Sequence, residues 1–219
     1  MTRRDFVLLA GSGIGLAAVP GTLARATSML EPLLPPPPAP LPLSGAAQTS
    51  RAILLDRAKA ALDRHRSAFA LRDRVALADF SIASRDLRFH IVDLIAGQVA
   101  SYLVAHGRGS DPEHSGWLQR FSNEPGSLAT SNGAYRTGEI YDGVHGAAMR
   151  LIGLEPVNDN AEPRAIVIHG ADYVSEDHIA TWGKLGRSEG CFVFARHMVP
   201  QVLGLLGPGR LLYADRVTV

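Results

Sequence analysis

The chain has 219 residues, 46% of them hydrophobic and 20% charged, enough apolar material for one domain with tails and too much for disorder throughout. Its 22 Lys and Arg stand against 21 Asp and Glu, a formal net charge of +1, which excludes the clustered positive excess of a nucleic-acid-binding surface. The single Cys excludes an intramolecular disulfide and any cysteine-rich zinc or iron–sulfur cage.

Residues 1–26 read as an address rather than as part of a fold. Arg3-Arg4 precede Phe6-Val7-Leu8-Leu9, a glycine-interrupted apolar run continues to Val19, and Ala24-Arg25-Ala26 puts small residues where a signal peptidase cuts. The pattern predicts a twin-arginine-type export signal, and hence a periplasmic or cell-envelope location. Left uncleaved, the same segment would tether the chain to the inner membrane. Residues 27–48 form a Pro-rich linker including Pro35-Pro36-Pro37-Pro38, a composition that favours extended polyproline II.

Over residues 49–73 a helix is expected, capped by Ser50 and running to about Leu71. Leu54, Ala58 and Leu62 recur at four-residue spacing and Phe69 continues the stripe, while alternating Arg and Asp give a solvated face. From residue 74 to 219 the texture changes to short apolar segments separated by turn residues. Strands are predicted at 75–82, 87–94, 98–105, 134–141, 147–152, 164–168 and 210–215, with a hairpin turn at Ala96-Gly97. Short helices are expected from Ser175, and over Arg196–Leu205 before Gly207-Pro208-Gly209. The fold class is therefore mainly β, a sandwich or barrel with a few short helices and an N-terminal helix packed alongside. The long stretch from His106 to Ala134 reads as a functional loop, with Trp117, Phe121 and Leu128 expected to fold it back onto the domain.

The residues that carry chemistry lie late in the chain. Arg164-Ala-Ile-Val-Ile-His169-Gly170 is an apolar segment that delivers a histidine at its end, and Gly170 permits a sharp turn. The lone cysteine follows in Arg187-Ser188-Glu189-Gly190-Cys191-Phe192. A free Cys is often a small buried hydrophobe. An exported thiol approached by Gly and polar residues also suits a nucleophile, which needs a base and oxyanion donors. His169 is the candidate base, and the N–H groups of Gly190 and Cys191 are the candidate donors. Arg187 suits a role in lowering the thiol pKa or holding a substrate carboxylate, and equally a surface salt bridge. His106, His145 and His169 each precede Gly, so a three-His zinc site can be drawn, but no tight ligand spacing supports it and no metal is expected. His145 fits better as a substrate-pocket residue, and Tyr135 joins it among the candidate substrate contacts.

His169-Gly170 followed by Ser188-x-Gly190-Cys191 resembles the murein L,D-transpeptidase catalytic-domain family. The resemblance extends through Val104-Ala105-His106-Gly107, Phe121-Ser122-Asn123, Val144-His145-Gly146, Gly153-Leu154-Glu155, Asn158-Asp159-Asn160 and Ala165 to Ser175, roughly Arg74 to Asp215 in all. It implies a β-rich fold and thioester chemistry on peptidoglycan stem peptides without metal or organic cofactor. Cys191 would be the nucleophile and His169 its base, oriented by the Gly170 carbonyl. Gly190 and Cys191 would form the oxyanion hole and Ser188 would hold the turn. Two positions depart from the family pattern. Glu189 stands where a His usually precedes Gly-Cys, and Val193 replaces a polar residue. A carboxylate aimed at the sulfur would raise the thiol pKa, and one aimed outward would meet an acceptor amine.

Overall fold

The computed structural model describes residues 45–218, so the predicted export signal and most of the Pro-rich linker lie outside the described residues. The first described element is helix α1 (Gly45–Arg64). It buries Leu54, Ala58, Ala61 and Leu62, the one-sided stripe that a helix of period 3.6 produces. Two expectations about it are corrected. The helix begins five residues before Ser50, whose hydroxyl meets that of Ser81 at 3.1 Å instead of capping. It also ends at Arg64, and Phe69 reaches the same apolar cluster only after a 3-10 turn over Arg66–Ala68.

Eight strands follow: β1 (Arg74–Asp79), β2 (Phe89–Asp93), β3 (Val99–Tyr102), β4 (Gly133–Gly143), β5 (Gly146–Gly153), β6 (Val167–Gly170), β7 (Phe192–Phe194) and β8 (Leu211–Asp215). They form one sheet in the order β3-β2-β1-β8-β4-β5-β6-β7. Neighbours are antiparallel except β1 with β8 and β6 with β7. The chain leaving β3 crosses to β7, where Ala105 bridges Val193, so the two ends of the sheet meet and the barrel-like expectation is met by closure of a single sheet. The Ala96-Gly97 turn joins β2 to β3, and the Asp93 carboxylate accepts the N–H groups of Ile95 and Ala96.

Strand alternation explains why β1 is buried on both sides. Val75 and Leu77 face α1 together with Leu211, while Ala76 and Ala78 face the interior with Leu212 and Ala214. Phe80, Phe89, Phe192 and Phe194 fill that interior, packed edge-on or tilted. Helix α2 (Glu176–Trp182) starts where a short helix is expected, and the Ser175 hydroxyl caps it by accepting the His178 N–H at 3.1 Å. Helix α3 (Val199–Leu206) closes the interior with Val199, Val202, Leu203 and Leu206, each contributing about 1.5–3 kcal/mol by burial.

The 106–134 loop is ordered by its own polar groups. Asp111 accepts from the backbone of Ser115 and Gly116, and Ser110 Oγ accepts the Thr130 N–H at 3.0 Å. The residue that anchors it is Leu118, 2% exposed, whereas Trp117 is 45% exposed. Phe121 packs against the core as expected.

Candidate active site

Strands β6 and β7 run parallel with Ile168 beside Phe192 and His169 beside Val193. In-register neighbours in a sheet point to the same face, so His169 and Val193 share one, and the alternation of an extended chain carries that face on to Cys191, the residue immediately before β7. Gly170 is the last residue of β6 and keeps an ordinary φ, so its role is space rather than a turn. A Cβ there would come within 2.9 Å of Val199 and 3.1 Å of the Arg196 Cα.

The His169 Nδ1 donates to the Gly170 carbonyl at 3.1 Å. A carbonyl only accepts, so Nδ1 carries the proton and Nε2 keeps its lone pair. Burial pushes the His169 pKa below its ordinary value, against an upward pull from the Gly170 hydrogen bond, and His145 and Arg196 add smaller downward pushes. The ring is covered by that of His145, stacked at 4.6 Å. His145 stands on the turn between β4 and β5, and its carbonyl accepts from Arg196 at 3.3 Å.

The Cys191 thiol lies 3.5 Å from the Ala165 carbonyl, to which it donates. Burial pushes its pKa up and the Glu189 carboxylate adds to the rise, while the Val167 backbone N–H and the Arg164 guanidinium pull it down. Thiol and imidazole are therefore both neutral at neutral pH. Glu189 itself is turned outward and accepts from Arg108 at 2.7 Å.

The turn before Cys191 is fixed from several sides. Ser188 Oγ accepts the Gly190 N–H at 3.2 Å and donates to the Cys191 carbonyl at 2.8 Å. Gly190 sits at φ +121°, a conformation that a side chain would strain. The Ser188 N–H donates to the His106 carbonyl at 2.9 Å, and the Arg108 N–H to the Ser188 carbonyl at 2.7 Å. Beneath this bridge lies the fully buried Arg88, which donates to the Val104 carbonyl and, at 2.7 Å, to His106 Nδ1. Both His106 nitrogens thus face protein groups, with Nε2 3.5 Å from the Asp111 carboxylate. Burial dominates in lowering the His106 pKa to about 4.

Several candidates stand elsewhere than the sequence suggested. Arg187 donates to the carbonyls of Asp111 and Pro112, so it braces the loop rather than meeting the thiol. Tyr135 is fully buried, edge-on to Phe192, with its hydroxyl donating to the Ser131 carbonyl at 2.8 Å, so it has no face for substrate. The cation that acts on the sulfur is Arg164, which sequence reasoning missed. It binds the Ser122 carbonyl and Ser131 Oγ at 2.8 Å each, Ser127 Oγ at 3.2 Å and the Ala129 carbonyl at 2.5 Å. Pro163-Arg164 directly before the apolar segment was the available signal. Arg164 and Glu189 line a cleft of about 190 Å³ with Pro125, Gly126, Leu128 and Pro163. A larger groove, about 640 Å³, runs between α1 and the β2–β3 hairpin and touches none of the candidate residues. Among the described residues no three His, Cys, Asp or Glu side chains gather as a metal site.

The family model of the L,D-transpeptidase catalytic domain matches residues 46–214, which takes in the whole sheet up to β8. The chain belongs to this family. No curated protein matches it. Solved structures that it resembles include an L,D-transpeptidase from Mycobacterium smegmatis, 11% identical over 65% of this chain and 58% of that one, with a TM-score of 0.41. The helical cell shape determining protein Pgp2 from Campylobacter jejuni is 14% identical over 69% of this chain and 49% of that one, with a TM-score of 0.43. An L,D-transpeptidase from Xylanimonas cellulosilytica is 15% identical over 72% of this chain and 68% of that one, with a TM-score of 0.40. The chain thus spans 58% and 49% of the first two of these solved relatives.

Proposed function

We propose that this L,D-transpeptidase-family chain is an exported cysteine acyltransferase acting on peptidoglycan stem peptides. Cys191 attacks the carbonyl at the third residue of a donor tetrapeptide, His169 Nε2 takes the thiol proton, and the same imidazole returns it to the departing D-alanine amine. An amine from a neighbouring stem peptide then resolves the thioester into a cross-link. The observation that supports the reading is that Cys191, immediately before β7, stands two residues from Val193, the register partner of His169, with Nδ1 tied to Gly170 so that Nε2 is free to accept. A neutral thiol and a neutral imidazole favour proton transfer during attack over a preformed ion pair.

The oxyanion role of Gly190 requires its N–H to leave Ser188 Oγ, a local rotation that substrate binding would drive. Residues 1–26 act as a twin-arginine signal that delivers the chain to the periplasm, the Pro-rich stretch before α1, 27–44, spaces the domain from the membrane, and 74–219 carry the chemistry. Water in place of the amine makes the same site an L,D-carboxypeptidase. A wall-binding module without catalysis is the second reading, favoured by the upward push on the thiol pKa and its hydrogen bond to Ala165.

Product analysis separates these readings. Full-length protein incubated with tetrapeptide muropeptides should release D-alanine and form dimers, and Cys191→Ala and His169→Ala should do neither. Tripeptides without dimers indicate hydrolysis, and binding without D-alanine release supports the module.

A further inference from the structure

We propose that the Arg108–Glu189 ion pair is the reading head for the acceptor, a clamp for an α-amino-acid zwitterion whose ammonium docks on Glu189 and whose carboxylate docks on Arg108. The inference rests on the transpeptidase reading above and concerns its second half. The two side chains meet at 2.7 Å, and each remains largely open to solvent, 52% for Arg108 and 68% for Glu189. Their backbones are not free to drift. Gly107 bridges Ser188, and the Arg108 N–H donates to the Ser188 carbonyl, so Arg108 and Glu189 leave neighbouring stretches of one short ladder. Glu189 also borders the small cleft that Arg164 walls, two residues from the thiol.

An exposed ion pair contributes little to stability, so its geometry is available for recognition. A carboxylate two residues from the nucleophile attracts an ammonium, and a guanidinium binds a carboxylate through two parallel N–H donors. Both charges held side by side match a carbon that bears an amine and a carboxylate, at the end of a diamino-acid side chain or in a free amino acid. They do not match a plain alkylamine.

The step itself balances. The docked ammonium loses one proton to solvent, and the resulting amine attacks the thioester carbonyl. The C–N bond forms as the C–S bond breaks. The second amine proton passes to His169 Nε2 and from there to the departing sulfur, which regenerates the neutral thiol.

The test uses full-length protein, a tetrapeptide donor and two acceptor probes, D-methionine and 3-(methylthio)propylamine, which differ by the carboxylate alone. The readout is the ratio of aminolysis to hydrolysis products by mass spectrometry. Both products come from one acyl-enzyme, so the ratio is insensitive to how fast that intermediate forms. The wild type should favour D-methionine at least about tenfold, the value of one charge-assisted contact. Arg108→Met should abolish that preference, and Glu189→Gln should lower transfer to both amines about tenfold while acyl-enzyme still accumulates. Equal use of the two probes by the wild type, or ratios untouched by either substitution, overturns the clamp and leaves the transpeptidase reading standing. Failure of the wild type to form any acyl-enzyme overturns that reading and the clamp with it.

Discussion

The imidazole of His145 lies almost flat on that of His169, with centroids 4.6 Å apart and planes 21° from parallel. One ring is exposed and the other buried, so His145 is the cover between solvent and the candidate base. It sits at a hairpin tip whose neighbour Val144 is fully open to water, and it is tied down through Arg196, which also pairs with Asp172 at 2.7 Å.

That cover has a kinetic consequence. Burial chiefly, and His145 to a smaller extent, lower the His169 pKa, so removing the cover moves the acid limb of the acylation pH profile up toward 6.5. His145→Phe keeps a stacking ring and should shift the limb alone. His145→Ala should shift it and also slow acylation about tenfold on the plateau, because the ring it held is free to swing. Carbapenem acylation followed across pH checks both, and a limb that stays in place in both variants contradicts the coupling.

The unmodified protein has its own profile. His169 is pushed below 6.5 and Cys191 above 9.0, so between these values both groups are neutral. Acylation should fall as pH drops through the His169 pKa, because a protonated imidazole cannot accept the thiol proton. It should stay level through neutrality and rise again as the thiol ionises. A bell with a maximum near neutrality would instead indicate a thiolate–imidazolium pair.

Arg164→Met tests the clasp that the sequence concealed. Four hydrogen bonds from one half-buried guanidinium hold the 106–134 loop beside the thiol, and two of their acceptors are backbone carbonyls. Their loss should lower the unfolding free energy in urea by about 2–3 kcal/mol. The cation also pulls the thiol pKa down, so the pH midpoint of iodoacetamide labelling should move up in the variant. An unchanged midpoint would remove Arg164 from the electrostatics of the site.

Arg210 forks onto both oxygens of Asp73, at 2.7 and 2.8 Å, and the hydrogen bonds hold the Asp73 pKa at about 2 against an ordinary 3.8. A depressed folded-state pKa gives stability that is complete above the unfolded value and fades as pH falls toward the folded one. Asp73→Asn should therefore cost about 1–2 kcal/mol at neutral pH. Its deficit relative to wild type should shrink between about pH 4 and pH 2, as denaturant melts at each pH would read. A deficit independent of pH would assign the cost to packing.

What the sequence disclosed follows from which forces are local. Most strand positions were legible because alternation and turn chemistry are written in consecutive residues, but the strand expected at 164–168 begins only at Val167, after Ala165 at positive φ. Contacts between distant segments were not legible. Ser50 has the chemistry of a cap, yet its hydroxyl meets Ser81 inside a helix that had already begun. Phe69 continues a helical stripe because it is buried against α1, not because it is helical. Arg187 is near Cys191 along the chain but reaches back to Asp111 and Pro112, while Arg164 approaches the thiol from the end of another loop. Tyr135 reads as a polar aromatic for substrate, and only the fold reveals that its hydroxyl is satisfied inside the core.

The most direct measurement is intact-mass and peptide mapping of the full-length protein after brief exposure to a tetrapeptide donor, with Cys191→Ala in parallel. A wild-type adduct equal to the donor less D-alanine, mapped to Cys191 and absent from the variant, is the expected result. A folded wild type that consumes donor with no adduct on Cys191, or a Cys191→Ala variant that still releases D-alanine, would contradict the thioester chemistry.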